Sequence, residues 1–385
     1  MSFERIAVVG DLHFEPCDAE AFDAARRQLL ARRPGAVFQL GDQGGYSHCG
    51  SWQSFEEGRA FLDGFDLPAY TILGNHDLEG AEYDTDADAI AAWCRALGMR
   101  RPYRAVELGE ALAVCLSTTA WRENPYSAHE VVLEEEQIAW LRATLAAHRD
   151  RPTFVFSHAP VIGSGLRVLQ SVHLRVPNAW LNHRHNPVQF RDLVLDNPQI
   201  KLWFSAHDHL GQDYADSVAP LGNCVCVHTG VIGPVSRDGT RQSRFVEFNA
   251  DGWRLSTIDH LGGSCRADAT HDYRTGQTTR VAMPRAPNEV QHFAPPPMPT
   301  DADRLQIADR VFTQHRGMVV EYLESLAAPI GVVCEGLTTE QVRVVGDELH
   351  VVGSSNTVHA YRANEHGDFG EIYAPNTWRQ RRRSA

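Results

Sequence analysis

Short apolar runs punctuate the first half of the chain at regular intervals. Ile6–Val9, Ala36–Leu40, Tyr70–Leu73, Thr153–Phe156 and Ile200–Phe204 are each bounded by Gly, Asp, Asn, Ser or Pro, the pattern of fully buried strands. Between them lie amphipathic stretches, Ala21–Arg32, Ser54–Leu62 and Glu134–His148, that predict helices. In the last of these Ile138, Leu141 and Leu145 fall on one face at helical spacing. Strands alternating with helices predict a layered α/β fold. Further β-like runs at Ala111–Leu116, Asn223–Val227, Arg244–Phe248 and Trp253–Ile258 predict a second sheet, hence a sandwich of two sheets flanked by helices.

The pattern changes after His260. A main domain is expected over residues 1–262 and a stiff extended linker over 263–300, where Pro284, Pro287, Pro295, Pro296, Pro297 and Pro299 crowd together. Beyond it Leu305, Phe312, Val319 and Leu326 recur every seven residues, which predicts a helix with one apolar stripe. Such a stripe packs on its own domain or forms the seam of a homo-oligomer. Gln341–Val345 and Leu349–Val352 flank Gly346-Asp347 and predict a hairpin. The whole of 301–385 is thus expected to be a small α+β extension ending in a solvated arginine tail.

Composition narrows the class. At 43% hydrophobic and 22% charged residues, the chain is neither disordered nor membrane-spanning in character. Ile6–Val9 is too short for the core of a signal peptide, and the eight cysteines are scattered, so a cytoplasmic protein with reduced thiols is expected. The nearest pair, Cys224 and Cys226, fits an apolar strand better than a metal knuckle. A net charge of −13 disfavours a long nucleic acid as partner but leaves a small phosphorylated substrate open.

Chemistry gathers where the apolar runs stop. Val9-Gly10 leads to Asp11 and His13, Leu40 to Gly41-Asp42, and Leu73 to Gly74-Asn75-His76-Asp77. Phe156 leads to Ser157-His158, and Phe204 through Ser205-Ala206 to His207 and His209. The carboxyl ends of strands in an open α/β sheet are where a site forms. Five runs that end in carboxylate, imidazole or amide, without thiolate, favour Mn, Fe or Zn over a closed cysteine site. Asp42 stands between the two groups and could bridge two ions, the clamp used for in-line phosphoryl displacement.

In order, Asp11-x-His13, Gly41-Asp42, Gly74-Asn75-His76-Asp77, His158 and His207-x-His209 resemble the five motifs of the calcineurin-like metallophosphoesterase superfamily. The resemblance covers residues 4–260. It implies a four-layer α/β/β/α sandwich and two metal ions, Mn foremost, with Fe or Zn as alternatives. By that likeness Asp11, His13, Asp42 and His209 hold the first metal, and Asp42, Asn75, His158 and His207 the second. His76 becomes the catalytic acid, steadied by Asp77. Two departures stand out: Ala206 replaces the glycine usual before His207, and Gln43-Gly44-Gly45 follows Asp42 where another polar residue is common.

The stretch after His158 resembles the class III cyclic-nucleotide phosphodiesterase branch, with Ala159-Pro160, a Gly163-Ser164-Gly165 loop, a polar insertion and Asn197-Pro198-Gln199-Ile200. His173, Asn182, His183 and His185 in that insertion are candidate substrate-binding residues, with Tyr46, His48 and Tyr214 as further candidates and His228 as structural. The expected function is hydrolysis of a small, nucleotide-like phosphodiester. A phosphomonoesterase or nuclease of the same superfamily, and a non-enzymatic scaffold of the same fold, are the alternatives.

Overall fold

The computed structural model describes residues 3–122, 131–168, 173, 178–183, 186–284, 298–299, 304–315, 318–326, 328–335, 339–353, 358–363 and 369–371. The first apolar runs become β1 (Glu4–Val9), β2 (Ala36–Gln39) and β3 (Ala69–Thr71), joined by α1 (Ala19–Leu30) and α2 (Trp52–Asp63) and followed by α3 (Asp86–Ala96). The next set is β4 (Arg104–Leu108), β5 (Ala111–Cys115), α4 (Glu135–Ala147), β6 (Thr153–Phe156), α5 (Val188–Asp196), β7 (Ile200–Ser205), β8 (Val218–Leu221) and β9 (Cys224–His228). β1, β2 and β3 pair in parallel, as do β5, β6, β7 and β9. Parallel neighbours require a crossover on a face of the sheet, and that is why helices alternate with strands here. Every such strand therefore ends on the same edge of its sheet.

β10 (Gln242–Asn249), β11 (Gly252–Asp259), β12 (Cys265–Asp272) and β13 (Gln277–Arg280) add an antiparallel meander to β1. The result is a seven-stranded sheet, β13-β12-β11-β10-β1-β2-β3, facing a six-stranded one, β4-β5-β6-β7-β9-β8. Alternation within β1 sorts the layers: Ile6 and Val8 point between the sheets, Ala7 and Val9 towards α1 and α2. Between the sheets Phe38 stacks on Phe156 with centroids 4.2 Å apart, and Phe156 on Phe204 at 5.1 Å. On the far side Ile138, Leu141 and Leu145 of α4 pack with Phe190 and Leu193 of α5 against Leu112, Val114 and Val155. The expected four-layer α/β/β/α sandwich is the observed architecture.

Two expectations fail beyond residue 262. Residues 265–280 are not linker but β12 and β13 of the larger sheet, with the Asp268 carboxylate buried in an ion pair with Arg244. β13 is the edge strand, and both it and β12 carry exposed polar residues, so this stretch lacks the apolar signature of a strand. The proline-rich stretch 285–297 lies outside the described residues.

The helix predicted over 305–326 is likewise absent. The chain there forms β14 (Leu305–Ile307), β15 (Arg310–His315) and β16 (Met318–Leu323), followed by β17 (Ala328–Glu335), in one antiparallel sheet. Leu305 and Phe312, seven residues apart, face each other across the β14–β15 hairpin, so part of the heptad-like recurrence comes from hairpin geometry. A helical oligomer seam has no basis in this structure. A second sheet comprises β18 (Thr339–Val345), β19 (Glu348–Gly353), β20 (Val358–Ala363) and β21 (Phe369–Glu371). β18 and β19 make the hairpin expected across Gly346-Asp347, with Gly346 at φ +64°. Among the described residues the extension is β-structure with one 3-10 turn at Glu324–Leu326, not α+β.

Phe312 and Val319 of the first C-terminal sheet meet Leu349, Val351 and Tyr361 of the second. Leu323 and Ile330 in turn pack on Ile162 and Trp180 of the main domain, and Trp180 Nε1 donates to the Pro329 carbonyl at 2.8 Å. Among the described residues no helix is long and apolar enough to cross a membrane. Trp180→Ala should lower stability by about 3–5 kcal/mol in urea unfolding. It should also speed amide exchange in β16 and β17 more than in β1 and β2. A loss below about 1 kcal/mol would contradict this docking.

Candidate metal centre

Five loops at the carboxyl ends of β1, β2, β3, β6 and β7 meet between the two sheets. Their closeness requires glycine at two points. A Cβ on Gly41, at φ +92°, would lie 2.4 Å from Gly74 N, and one on Gly74 would lie 2.1 Å from Asp42 Oδ1. The ligand residues are strained as well. His13, Asp42, His207 and His209 hold φ of 41°, 54°, 71° and 52°, a left-handed conformation that costs a non-glycine residue about 1–3 kcal/mol. Surrounding hydrogen bonds hold it: the Asp42 carbonyl accepts from Leu12 N and His13 N, and Asp11 Oδ2 accepts from His207 N.

All seven expected ligands converge. Asp11, His13, Asp42 and His209 bring one donor atom each within 4.8 Å of one another, and so do Asp42, His158 and His207. His209 Nε2 lies 2.9 Å from Asp11 Oδ2 and 3.1 Å from His13 Nε2. On the other side His158 Nε2 lies 3.0 Å from both Asn75 Oδ1 and His207 Nδ1. Asp42 Oδ2 faces both groups, 3.6 Å from His13 Nε2 and 3.2 Å from His158 Nε2.

Carbonyl groups behind the rings decide which nitrogen faces inwards. The Leu40 carbonyl accepts from His158 Nδ1 at 2.7 Å, the Gly44 carbonyl from His13 Nδ1 at 3.3 Å, and the Asn178 carbonyl from His207 Nε2 at 2.9 Å. Each such bond leaves the opposite nitrogen free to coordinate an ion, the usual outer support of a metal-binding histidine. Gly44 thus gives the Gln43-Gly44-Gly45 segment a task, and Gln43 anchors it by donating to Thr71 Oγ1. Ala206 is fully buried without disturbing His207.

Burial and neighbouring charge divide the histidines. Burial and the adjacent His209 press His13 down to about 3, and burial with His173 and His158 holds His207 well below the usual imidazole range. Both are therefore neutral. Burial also opposes charge on His158, but the Asp42 and Asp11 carboxylates outweigh it and raise that ring to about 9. Against the same burial penalty, His158 and His76 hold Asp42 well below the ordinary carboxylate range.

These residues fit metal ions. Asp42 Oδ2 is buried and meets ring nitrogens of His158 and His13. Ligand nitrogens and oxygens about 2.1 Å from a divalent ion are about 3 Å apart along an octahedral edge and about 3.4 Å along a tetrahedral one, the range seen here. An oxygen and nitrogen donor set without sulfur suits Mn, Fe or Zn.

His76 and Asp77 do not form the expected pair. Asp77 Oδ2 accepts from Asp42 N at 2.7 Å and Gly74 N at 2.8 Å, and Oδ1 from Gln43 N at 2.9 Å. Its task is to tie the Asp42 and Asn75 loops together. The carboxylate beside the His76 ring is Glu79, whose Oε2 lies 3.0 Å from Nδ1, with the Cys49 thiol donating to the same oxygen at 3.5 Å. Burial opposes charge on His76, but Asp42, Cys49 and Glu79 together carry the ring well above its ordinary range. Glu79 lies three residues past His76, a spacing a 3-10 turn brings together, whereas no sequence signal marks Cys49.

The insertion contributes differently from expectation. His173 stacks on His207 with centroids 4.2 Å apart and bonds Asp208, so it supports a ligand. His183 is turned elsewhere, its Nδ1 donating to the Leu133 carbonyl at 2.8 Å and its Nε2 lying 3.1 Å from Glu135. Asn182 pairs its backbone with Val131 and Leu133 and accepts from His183 N. Both fasten the insertion to the segment before α4 rather than face the ligands, and His185 lies outside the described residues. His48 is held by Glu57 and Ser47, and buried Tyr214 lies under Arg167. His228 bonds the Leu210 carbonyl, a structural role as expected. Tyr46 alone of the further candidates lies over the centre, stacked on His13 at 4.4 Å and 53% exposed.

Fold and site together define a four-layer α/β/β/α sandwich with a candidate metal centre at the carboxyl ends of its strands. The profile of the calcineurin-like phosphoesterase family matches residues 4–211, and the chain belongs to that family. It is 25% identical over 191 residues to a protein of Rhodopseudomonas palustris named as a probable cyclic nucleotide phosphodiesterase, covering 44% of this chain and 64% of that one. It is also 25% identical over 242 residues to an uncharacterised protein of Schizosaccharomyces pombe, covering 55% and 52%. The chain thus spans between half and two thirds of these relatives. Among solved structures, a purple acid phosphatase from yellow lupin (Lupinus luteus) seeds overlays at a TM-score of 0.49 and 14% identity, covering 74% of this chain and 56% of that one. GAP50 of Plasmodium overlays at 0.47 and 14%, covering 76% and 94%.

Two outcomes follow. Asp77→Ala should lower bound metal well below that of the intact protein by elemental analysis, because the Asp42 loop loses two anchoring bonds and the Asn75 loop one. Full metal content with only a shifted pH–rate profile would restore the His76 partnership. Metal uptake should also displace the proton that His158 carries below about 9, so affinity should rise about tenfold per pH unit up to that point. Calorimetric titration near neutral pH in buffers of different ionisation enthalpy counts the protons released. A count of zero would contradict the charge state of His158.

Proposed function

We propose that the protein is a dinuclear-metal phosphodiesterase that hydrolyses a small, nucleotide-like phosphodiester in the cytoplasm. The observation that carries the reading is the convergence of two groups of candidate ligands on one shared carboxylate oxygen, with a half-buried histidine beside them. Asp11, His13, Asp42 and His209 would hold one ion, and Asp42, Asn75, His158 and His207 the other, with Mn the foremost choice. When bound, such a pair polarises a phosphoryl oxygen and stabilises the attacking and leaving oxygens of an in-line displacement.

The chain itself supplies the proton. His76 N donates to Asp42 Oδ1 at 2.9 Å, which fixes the residue against the bridging carboxylate. Its side chain retains 26% exposure, whereas those of Asp11, His13, Asp42 and His158 retain none, so His76 can meet a substrate. Glu79 beside Nδ1 favours the imidazolium, the form a general acid needs, and the other ring nitrogen gives its proton to the leaving oxygen. Tyr46, exposed above His13, offers an aromatic face on which a base can stack. The name borne by the Rhodopseudomonas palustris relative and the net charge of −13 favour a small nucleotide diester over long nucleic acid. A phosphomonoester substrate is the second reading, and a panel of cyclic nucleotides, dinucleotides and monoesters decides between them.

His76→Ala should leave both metals bound and slow turnover by roughly 10²–10⁴-fold on diesters with basic leaving groups. The defect should shrink on a nitrophenyl diester, whose leaving group departs without help. Equal defects on both would mean that His76 binds phosphate instead of donating a proton.

A further inference from the structure

Beside the dinuclear centre, and sharing none of its ligands, three side chains of different chemistry meet at the rim. Cys49 comes from the loop after Gly45, and His76 and Glu79 from the 3-10 turn His76–Leu78 and the residue that caps it. Each brings one donor atom within 4.8 Å of the other two. Glu79 Oε2 lies 3.5 Å from Cys49 Sγ and 3.0 Å from His76 Nδ1. A tetrahedral zinc ion with sulfur at about 2.3 Å and nitrogen or oxygen at about 2.1 Å sets such edges at about 3.4–3.6 Å. Small rotations of the Glu79 carboxylate would close the difference. His76 Nδ1 is buried and faces the Glu79 carboxylate and the Cys49 sulfur.

We propose that Cys49, His76 Nδ1 and Glu79 form a third cation site, selective for a thiophilic divalent ion such as Zn²⁺, whose filling shuts off the enzyme. The inhibitory half of the proposal rests on His76 being the proton donor; the binding half does not. Three protein ligands leave a fourth position to solvent, and all three residues are half-buried, so the ion can enter and leave. On binding, the Cys49 S–H bond breaks, its proton passes to solvent, and the sulfur electron pair goes to the ion. Any proton on His76 Nδ1 leaves likewise, and its lone pair becomes a ligand. The ring is then fixed and can no longer cycle between imidazolium and imidazole. The dinuclear centre contains no sulfur, so hard ions such as Mn²⁺ prefer that centre and soft ions prefer the rim.

The test uses the full-length, Mn²⁺-loaded protein. Titration with Co²⁺ should produce a thiolate-to-cobalt charge-transfer band in the near ultraviolet that saturates at one equivalent. Cys49→Ser should abolish it, and Glu79→Gln should weaken Co²⁺ binding by at least tenfold. In parallel, Zn²⁺ should inhibit hydrolysis of a diester with a basic leaving group at least tenfold more weakly in Cys49→Ser than in the unmodified protein. No band, a band that persists in Cys49→Ser, or equal Zn²⁺ sensitivity of the two proteins overturns the proposal. A Cys49-dependent band together with inhibition equally strong on a nitrophenyl diester leaves the site standing and removes His76 from proton donation instead.

Discussion

A carboxylate buried among imidazole rings, away from water, is an expensive thing for a protein to keep. Even when paired, a buried charge costs several kcal/mol in lost hydration. Asp42 is in that position, its Oδ2 meeting ring nitrogens of His158 and His13 at 3.2 and 3.6 Å, and the loops around it add strain, since Asp42 and three of the histidines hold left-handed backbones. Around it, His158 and His76 are pulled towards the charged form by carboxylate neighbours, while His13 and His207 are driven neutral. A cation between these donors would answer all of this at once: it would balance the buried carboxylates, accept the neutral lone pairs and take the place of the His158 proton.

The rest of the architecture serves that convergence. Parallel pairing brings the carboxyl ends of β1, β2 and β3 to one edge of the larger sheet, and those of β6 and β7 to one edge of the smaller. The stack of Phe38, Phe156 and Phe204 locks the two sheets face to face, so the two sets of loops meet at fixed distance. Asp77 then ties the β2 and β3 loops to each other through three backbone N–H groups. His173 and the Asn178 carbonyl brace His207 from the insertion, and the C-terminal sheets brace the insertion through Trp180. Support thus runs outward in shells, from ligand to loop to sheet to the C-terminal extension.

The parts legible in the sequence are those where local pattern and tertiary role coincide. Strands buried on both faces read as unbroken apolar runs, and polar residues follow them directly, so the convergence of Asp11, Asp42, Asn75, His158 and His207 was legible in the sequence. Residues whose role depends on a distant neighbour could not. Asp77 adjoins His76 in sequence, yet its carboxylate turns to the backbone of Asp42 and Gln43, while Glu79 reaches the ring. His183 looks like a substrate ligand because it lies in a polar insertion, but Leu133 and Glu135 hold it. The C-terminal extension misled for a different reason: hairpin strands linked by tight turns can repeat at seven residues, as at Leu305 and Phe312, and imitate a helical stripe. The valines of β15 and β16 were the better guide, since β-branched side chains favour strands.

The shared carboxylate is the claim on which the metal centre stands, and anomalous diffraction from crystals of the Mn²⁺-loaded protein tests it directly. The account predicts two anomalous peaks about 3.5–4 Å apart with Asp42 Oδ2 between them, one beside His13 and His209 and the other beside His158 and His207. A single peak, or two peaks of which only one touches Asp42, would contradict it.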